Sequence, residues 1–120
     1  MRKYTIHENE VQAVQLPGRS HKMVVRPDNM KAENMCAGVA VFPANTHAPA
    51  HVHQLEEEIL YVLSGKGNMY FNGEPETITP GTFMLVPKGV EHSLEAVGDE
   101  ALKVFYVFSP QVGQGSYDRK

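Results

Sequence analysis

The chain has 120 residues, with 11 Lys and Arg against 14 Asp and Glu, a formal net charge of −3. That mild acidity leaves no basic footprint for nucleic acid and no polybasic patch for a membrane surface. Hydrophobic residues make up 42% of the chain, ordinary for a globular domain, and no apolar run approaches the length that spans a bilayer.

Residues 1–20 are mixed and polar. MRKYTIHENE carries basic residues near its start but stays polar where a signal peptide turns apolar, so the expectation is a cytoplasmic protein. This stretch reads as an N-terminal arm that adds an edge strand or crosses to a partner subunit. No convincing helical period follows. Short apolar runs bounded by Gly, Pro and Asn predict strands over 22–26, 36–42, 50–53, 58–64, 67–71, 76–78, 82–86, 92–96 and 102–108. Among the turns between them, Asn72-Gly73 is the strongest signal, because a type I′ hairpin needs positive φ at both central residues. Cys36 is the only cysteine; it excludes an internal disulfide, and within NMCAGVAVF it is expected to be a buried, inert thiol. Residues 109–120 are polar and Gly-rich and read as a loosely held tail. No repeat or linker divides the chain, so one all-β domain over 1–120 is expected, with its core at 36–108.

The chemistry concentrates in two blocks. His51 and His53 lie two apart in a strand-like stretch, where alternate side chains share a face. Glu58 opens the next expected strand and His92 a later one, and three imidazoles with one carboxylate suit Mn, Fe, Co, Ni, Cu or Zn. Two histidines alone would more often be ordinary core or surface residues. The full pattern is more specific: His51-x-His53-x4-Glu58-x6-Gly65, then Gly81-x5-Pro87-x-Gly89-x2-His92. Glu56 and Glu57 compete with Glu58. Spacing to Gly65 and the alternation Glu58, Leu60, Val62 favour Glu58, and the other two carboxylates are expected in solvent at the rim.

These two blocks resemble the two motifs of the cupin superfamily, in its small single-domain, cupin 2 form. The resemblance implies a double-stranded β-helix, the cupin or jelly-roll barrel. It also implies one divalent transition metal held by His51, His53, Glu58 and His92. Where the first motif usually has a Gly six residues before its first His, this chain has Asn45, the residue that best replaces Gly at positive φ. Where the second usually ends on Asn, it has Ala96, which removes a polar group from the barrel wall and leaves the ligands intact.

Functionally, a metalloenzyme acting on a small oxygen-bearing organic substrate is expected, leaning towards oxygenation on the breadth of the family. An isomerase or lyase of the same fold is the alternative, and a non-catalytic small-molecule-binding module the alternative of another class. The substrate is expected to be weakly charged, because only Arg26 offers a basic group near the barrel. Phe71 or Tyr70, Phe83 or Met84, and Phe105 or Tyr106 offer inward positions with unresolved parity; the methionines read as core filling. If Glu58, Leu60 and Val62 face inward, Ile59, Tyr61 and Leu63 face outward and need a cover, which with the resemblance implies a homodimer.

Overall fold

The computed structural model of the chain describes residues 4–112. Among the described residues, nine strands form two antiparallel sheets that pack face to face. After a 3-10 turn at Glu8–Glu10 come β1 (Val14–Leu16), β2 (Arg19–Val25), a single helical turn α1 (Pro27–Met30), β3 (Cys36–Phe42), β4 (Glu57–Ser64), β5 (Gly67–Phe71), β6 (Glu74–Ile78), β7 (Phe83–Val86), β8 (His92–Ala96) and β9 (Leu102–Ser109). The larger sheet has the order β1-β2-β3-β9-β4-β7 and the smaller β6-β5-β8. None of the described helices is long and apolar enough to cross a membrane.

The strands follow the period-2 pattern that a half-buried sheet imposes. Along β4, Glu58, Leu60 and Val62 point inward and are almost fully buried, while Ile59 and Leu63 remain more than 40% exposed. The same alternation settles the open parities. Met84 and Tyr106 are buried and Phe83 and Phe105 exposed, and Phe71 packs against the core. Phe108, Met69, Leu102, Val62 and Val104 fill the space between the sheets. Cys36 is fully buried, and burial raises its thiol pKa, which disfavours the reactive thiolate.

Turn chemistry follows local φ requirements. Asn72 and Gly73 have φ of 51° and 84°, as a type I′ hairpin between β5 and β6 demands. Asn45 takes φ of 55°, and its Oδ1 accepts a hydrogen bond from the Gly98 amide at 3.1 Å. Asn therefore does at this turn what Gly would do, and adds a tie to the β8–β9 loop.

Three local expectations are corrected. Residues 50–53 form no regular strand: backbone bonds from Ala48 to Leu94 and between His51 and His92 seat the 46–51 segment beside β8 as isolated bridges. Pro49, in the middle of HAPAH, has no backbone N–H to give and interrupts a continuous ladder. The polar arm adds the edge strand β1, as one of its two expected roles, but β2 starts at Arg19 rather than at Lys22. The arm pairs through a tight hairpin, with Gln15 Nε2 donating to the Arg19 carbonyl at 2.9 Å. Met35 is 51% exposed and belongs to no core. Of the tail, β9 runs through Ser109 and Val112 is buried; residues 113–120 lie outside the described residues.

Candidate metal centre

His51, His53 and His92 converge inside the barrel, each offering a ring nitrogen, and these three atoms lie within 4.8 Å of one another. Their ring centroids are 4.3 to 5.5 Å apart. Three residues on one ion's periphery at this spacing could hold a metal. The fourth candidate, Glu58, comes from β4, paired there with Val86 of β7 and Phe108 of β9. Its Oε1 stands 3.4 Å from His92 Nε2.

The surroundings fix the orientation of the rings. His92 Nδ1 lies 3.0 Å from the Val90 carbonyl and His51 Nδ1 3.5 Å from that of Pro49. A carbonyl can only accept, so these contacts place the proton on Nδ1 and leave Nε2 bare and able to coordinate. The His51 segment is held against β8 by reciprocal backbone bonds between His51 and His92 at 3.0 and 2.9 Å and by a 3.0 Å contact of His47 Nε2 with Ser93 Oγ. His53 packs edge-on against Phe108 at 4.7 Å. Glu56 is corrected here: its side chain is 12% exposed and its Oε1 lies 4.0 Å from His53 Nδ1, so it backs the histidine and does not sit at the rim in solvent. Glu57 is exposed, as expected.

The decisive local observation is chemical. Glu58 Oε1 and His92 Nε2 are buried and make no hydrogen bond to any protein group; at 3.4 Å they face each other without a well-formed bond. Each such atom costs about 1–3 kcal/mol when left unsatisfied. The electrostatics agree. Burial drives the His51 imidazole from 6.5 to about 3, with the His92 and His53 rings and Arg19 adding to the effect. The centre therefore presents a neutral imidazole over the whole physiological range. Burial also pushes the Glu58 carboxyl up, opposed by its contact with His92 and by the charge of Arg19. A donor set of imidazoles and a carboxylate, buried and short of partners, fits a divalent cation.

The cavity in front of these groups is about 40 Å³ and is lined in part by Arg19, His21, Leu60 and Tyr106. Arg19 and His21 are inward-facing residues of β2 and are both 8% exposed. His21 Nδ1 lies 3.0 Å from Tyr106 Oη, and that hydroxyl donates to the Lys22 carbonyl at 3.4 Å. Arg26, the basic residue expected near the barrel, instead pairs with Asp28 at 2.7 Å on the surface. The expectation that only Arg26 offers a basic group near the barrel is thereby corrected: Arg19 lines the cavity. The signal in the sequence was the alternation of RSHKM directly after Pro17-Gly18, hidden by its position in a polar arm.

The titration of His51 gives a pH dependence with a definite sign. Its folded pKa lies below its unfolded one, so the unfolded chain takes up a proton that the folded chain refuses. Stability of the metal-stripped protein is therefore undiminished by this group above pH 6.5 and is lost as pH falls from 6.5 towards 3. Glu58 acts with the opposite sign, since an acid with a raised folded pKa is relieved by acidification. The readout is therefore the difference between wild type and His51→Gln in urea midpoints at pH 7.5, 6, 5 and 4. The gap should change in favour of the variant as the pH falls; a constant gap contradicts the assignment.

Comparison with known proteins bears on the fold and the family. The family model described as Cupin domain matches residues 38–108. Polyketide synthase CurC of Streptomyces cyaneus is 23% identical over 110 residues, covering 92% of this chain and 71% of that protein. L-ectoine synthase of Aliivibrio fischeri is 29% identical over 85 residues, covering 69% of this chain and 66% of that protein. The matched stretches span 54% to 75% of the curated relatives' own lengths. Among solved structures, ectoine synthase from P. lautus superposes with a TM-score of 0.82 at 18% identity, over 97% of this chain and 85% of that one, a likeness of fold. With the family model matching more than half of its length, the chain belongs to the cupin family.

Proposed function

We propose that the protein is a metal-dependent enzyme that moves a proton on a small oxygen-bearing substrate, an isomerase- or lyase-type reaction. His51, His53, Glu58 and His92 would hold one divalent transition metal. When bound, such an ion supplies Lewis acidity, which lowers the cost of negative charge on a substrate oxygen. The observation that carries the choice of reaction is the buried His21–Tyr106 pair in the wall of the same cavity. With the Tyr106 hydroxyl donating to the Lys22 carbonyl, His21 Nδ1–H donates to Tyr106 Oη, and Nε2 is the basic atom of the ring. His21 then accepts a substrate proton at Nε2 and returns it, while Tyr106 fixes its tautomer. Leu60, Leu94 and Val104 in the cavity wall keep water from the reacting atoms. Oxygenation, the expectation drawn from family breadth, is the competing reading that the test below separates.

The test uses the metal-loaded protein with small hydroxy ketones, diketones and keto sugars in D₂O, with deuterium incorporation followed by NMR and oxygen uptake by electrode. Solvent deuterium should enter the carbon beside the carbonyl without oxygen uptake. His21→Gln should slow this by about a hundredfold or more with metal content unchanged. Oxygen consumption coupled to product would support the oxygenase instead, and binding without any conversion would support a non-catalytic module.

The homodimer also belongs to this proposal. On the outer face of the large sheet, Tyr61 pairs in register with Phe83 on one side and Phe105 on the other, the Tyr61 and Phe83 rings being 4.6 Å apart. Ile59, Leu63 and Leu85 flank them, and Phe83 itself is 73% exposed. An apolar patch on several adjacent strands favours a protein cover, and a second copy of the chain would supply a matching face. Light scattering at micromolar concentration should give twice the chain mass, and Phe83→Glu should shift it to the monomer; a monomeric wild type contradicts the proposal.

A further inference from the structure

We infer that Asn72 is a positioning residue for His92: its side-chain oxygen pins the peptide unit whose carbonyl holds the His92 ring. The geometry of this relay rests on hydrogen bonds of the chain alone. Its consequence for metal affinity rests on the metal centre proposed above.

The peptide unit that joins Val90 to Glu91 has two polar ends. Its carbonyl, on Val90, lies 3.0 Å from His92 Nδ1. Its N–H, on Glu91, donates to Asn72 Oδ1 at 3.1 Å. The groups form one relay: His92 Nδ1–H to the Val90 carbonyl, then across the peptide, then Glu91 N–H to Asn72 Oδ1. A peptide plane held at its N–H cannot turn its carbonyl away without breaking that bond. An acceptor on the N–H also polarises the carbonyl and strengthens it as an acceptor in turn. Both effects keep the His92 proton on Nδ1. They leave Nε2, buried 3.4 Å from Glu58 Oε1, able to coordinate.

The backbone around this peptide shows why a side chain takes part. Consecutive amides lead into β8. Gly89 donates to the His53 carbonyl at 2.8 Å, Val90 to the Pro87 carbonyl at 3.3 Å and His92 to the His51 carbonyl at 2.9 Å. Between them, Glu91 donates to a side chain instead. The reason is where β5 ends. The β5–β8 ladder closes with Phe71 opposite His92, and the next residue, Asn72, enters the hairpin turn with φ of 51°. The Asn72 amide still donates to the Glu91 carbonyl at 2.8 Å. Its side chain supplies the acceptor in return, which extends the pairing one residue past the strand.

The hairpin does not by itself call for Asn. A type I′ turn takes Gly, Asp or Asn at this position. Gly would meet the φ requirement and lose the acceptor; Asp would keep both. Asn45 provides a matched comparison within the same chain. It has φ of 55°, and its Oδ1 accepts from the Gly98 amide at 3.1 Å. That bond ties the β8–β9 loop, which carries none of the candidate ligands.

The test compares wild type, Asn72→Gly, Asn72→Asp and Asn45→Gly as full-length proteins. Zinc affinity is read by competition with a chromogenic chelator, His92 by long-range ¹H–¹⁵N NMR of the zinc-loaded and metal-stripped forms, and stability by urea midpoint. Asn72→Gly should bind zinc about tenfold more weakly, the smaller effect expected when support behind a metal ligand is lost. In its metal-stripped form the His92 Nδ1–H tautomer should lose population. Asn72→Asp, which restores the acceptor, and Asn45→Gly should match wild type in both readouts. A purely structural turn would lower the urea midpoint of Asn72→Gly and leave the His92 tautomer unmoved, which would overturn the inference. So would a wild-type His92 protonated on Nε2, or equal losses of zinc affinity in the two glycine variants. A wild type that takes up no zinc would overturn the metal centre, and a tautomer shift confined to Asn72→Gly would still uphold the relay.

Discussion

A carboxylate oxygen and an imidazole nitrogen that have left water without gaining a hydrogen bond define the physics of this molecule. Glu58 Oε1 and His92 Nε2 lie inside an apolar barrel, close to two further imidazoles. Their burial costs several kcal/mol in sum, a considerable fraction of the stability of a small domain. The fold maintains this arrangement by supporting it from outside. Nδ1 contacts to the Val90 and Pro49 carbonyls set the rings, and reciprocal backbone bonds hold the His51 segment to β8. Glu56 stands behind His53. A divalent cation would convert the cost into a coordination sphere, in keeping with the metal site proposed here.

Architecture and site depend on each other through strand alternation. Because side chains on β4 alternate, the turn of the chain that puts Leu60 and Val62 into the core also puts Glu58 at the centre. The same rule on β9 turns Tyr106 and Phe108 inward, the first towards His21 and the second against His53. On β2 it turns Arg19 and His21 to the cavity. A single-residue slip in any of these registers would move a functional side chain to the outside, so the apolar core and the polar cavity select the same register.

Much of this was legible in the sequence, for reasons that can be stated residue by residue. Glu58 could be separated from Glu56 and Glu57 because the apolar alternation after it is unbroken. Asn45 could be read as a turn residue because few side chains tolerate its φ of 55°. The cavity wall was harder. Arg19 and His21 sit in a polar stretch whose alternation includes only weakly apolar partners, so the burial pattern that exposes a strand was faint. Their role depends on β2 pairing with β3, a contact between distant parts of the chain. Glu56 and Glu57 look alike in sequence; only the path of the loop into β4 buries the first and exposes the second. Residues 50–53 were read as a strand because His-x-His fits alternation, although Pro49 and the isolated bridges of His51 and His47 give a different backbone with the same convergence of rings.

The central claim is that these four side chains form one coordination sphere. X-ray absorption on the protein loaded with one equivalent of Zn(II) tests it most directly. The account predicts a first shell of three imidazole nitrogens and one or more oxygens at about 2.0–2.2 Å, with imidazole outer-shell scattering that drops by one ring in His53→Ala. A first shell containing sulfur, fewer than two imidazoles, or no change in His53→Ala would contradict it.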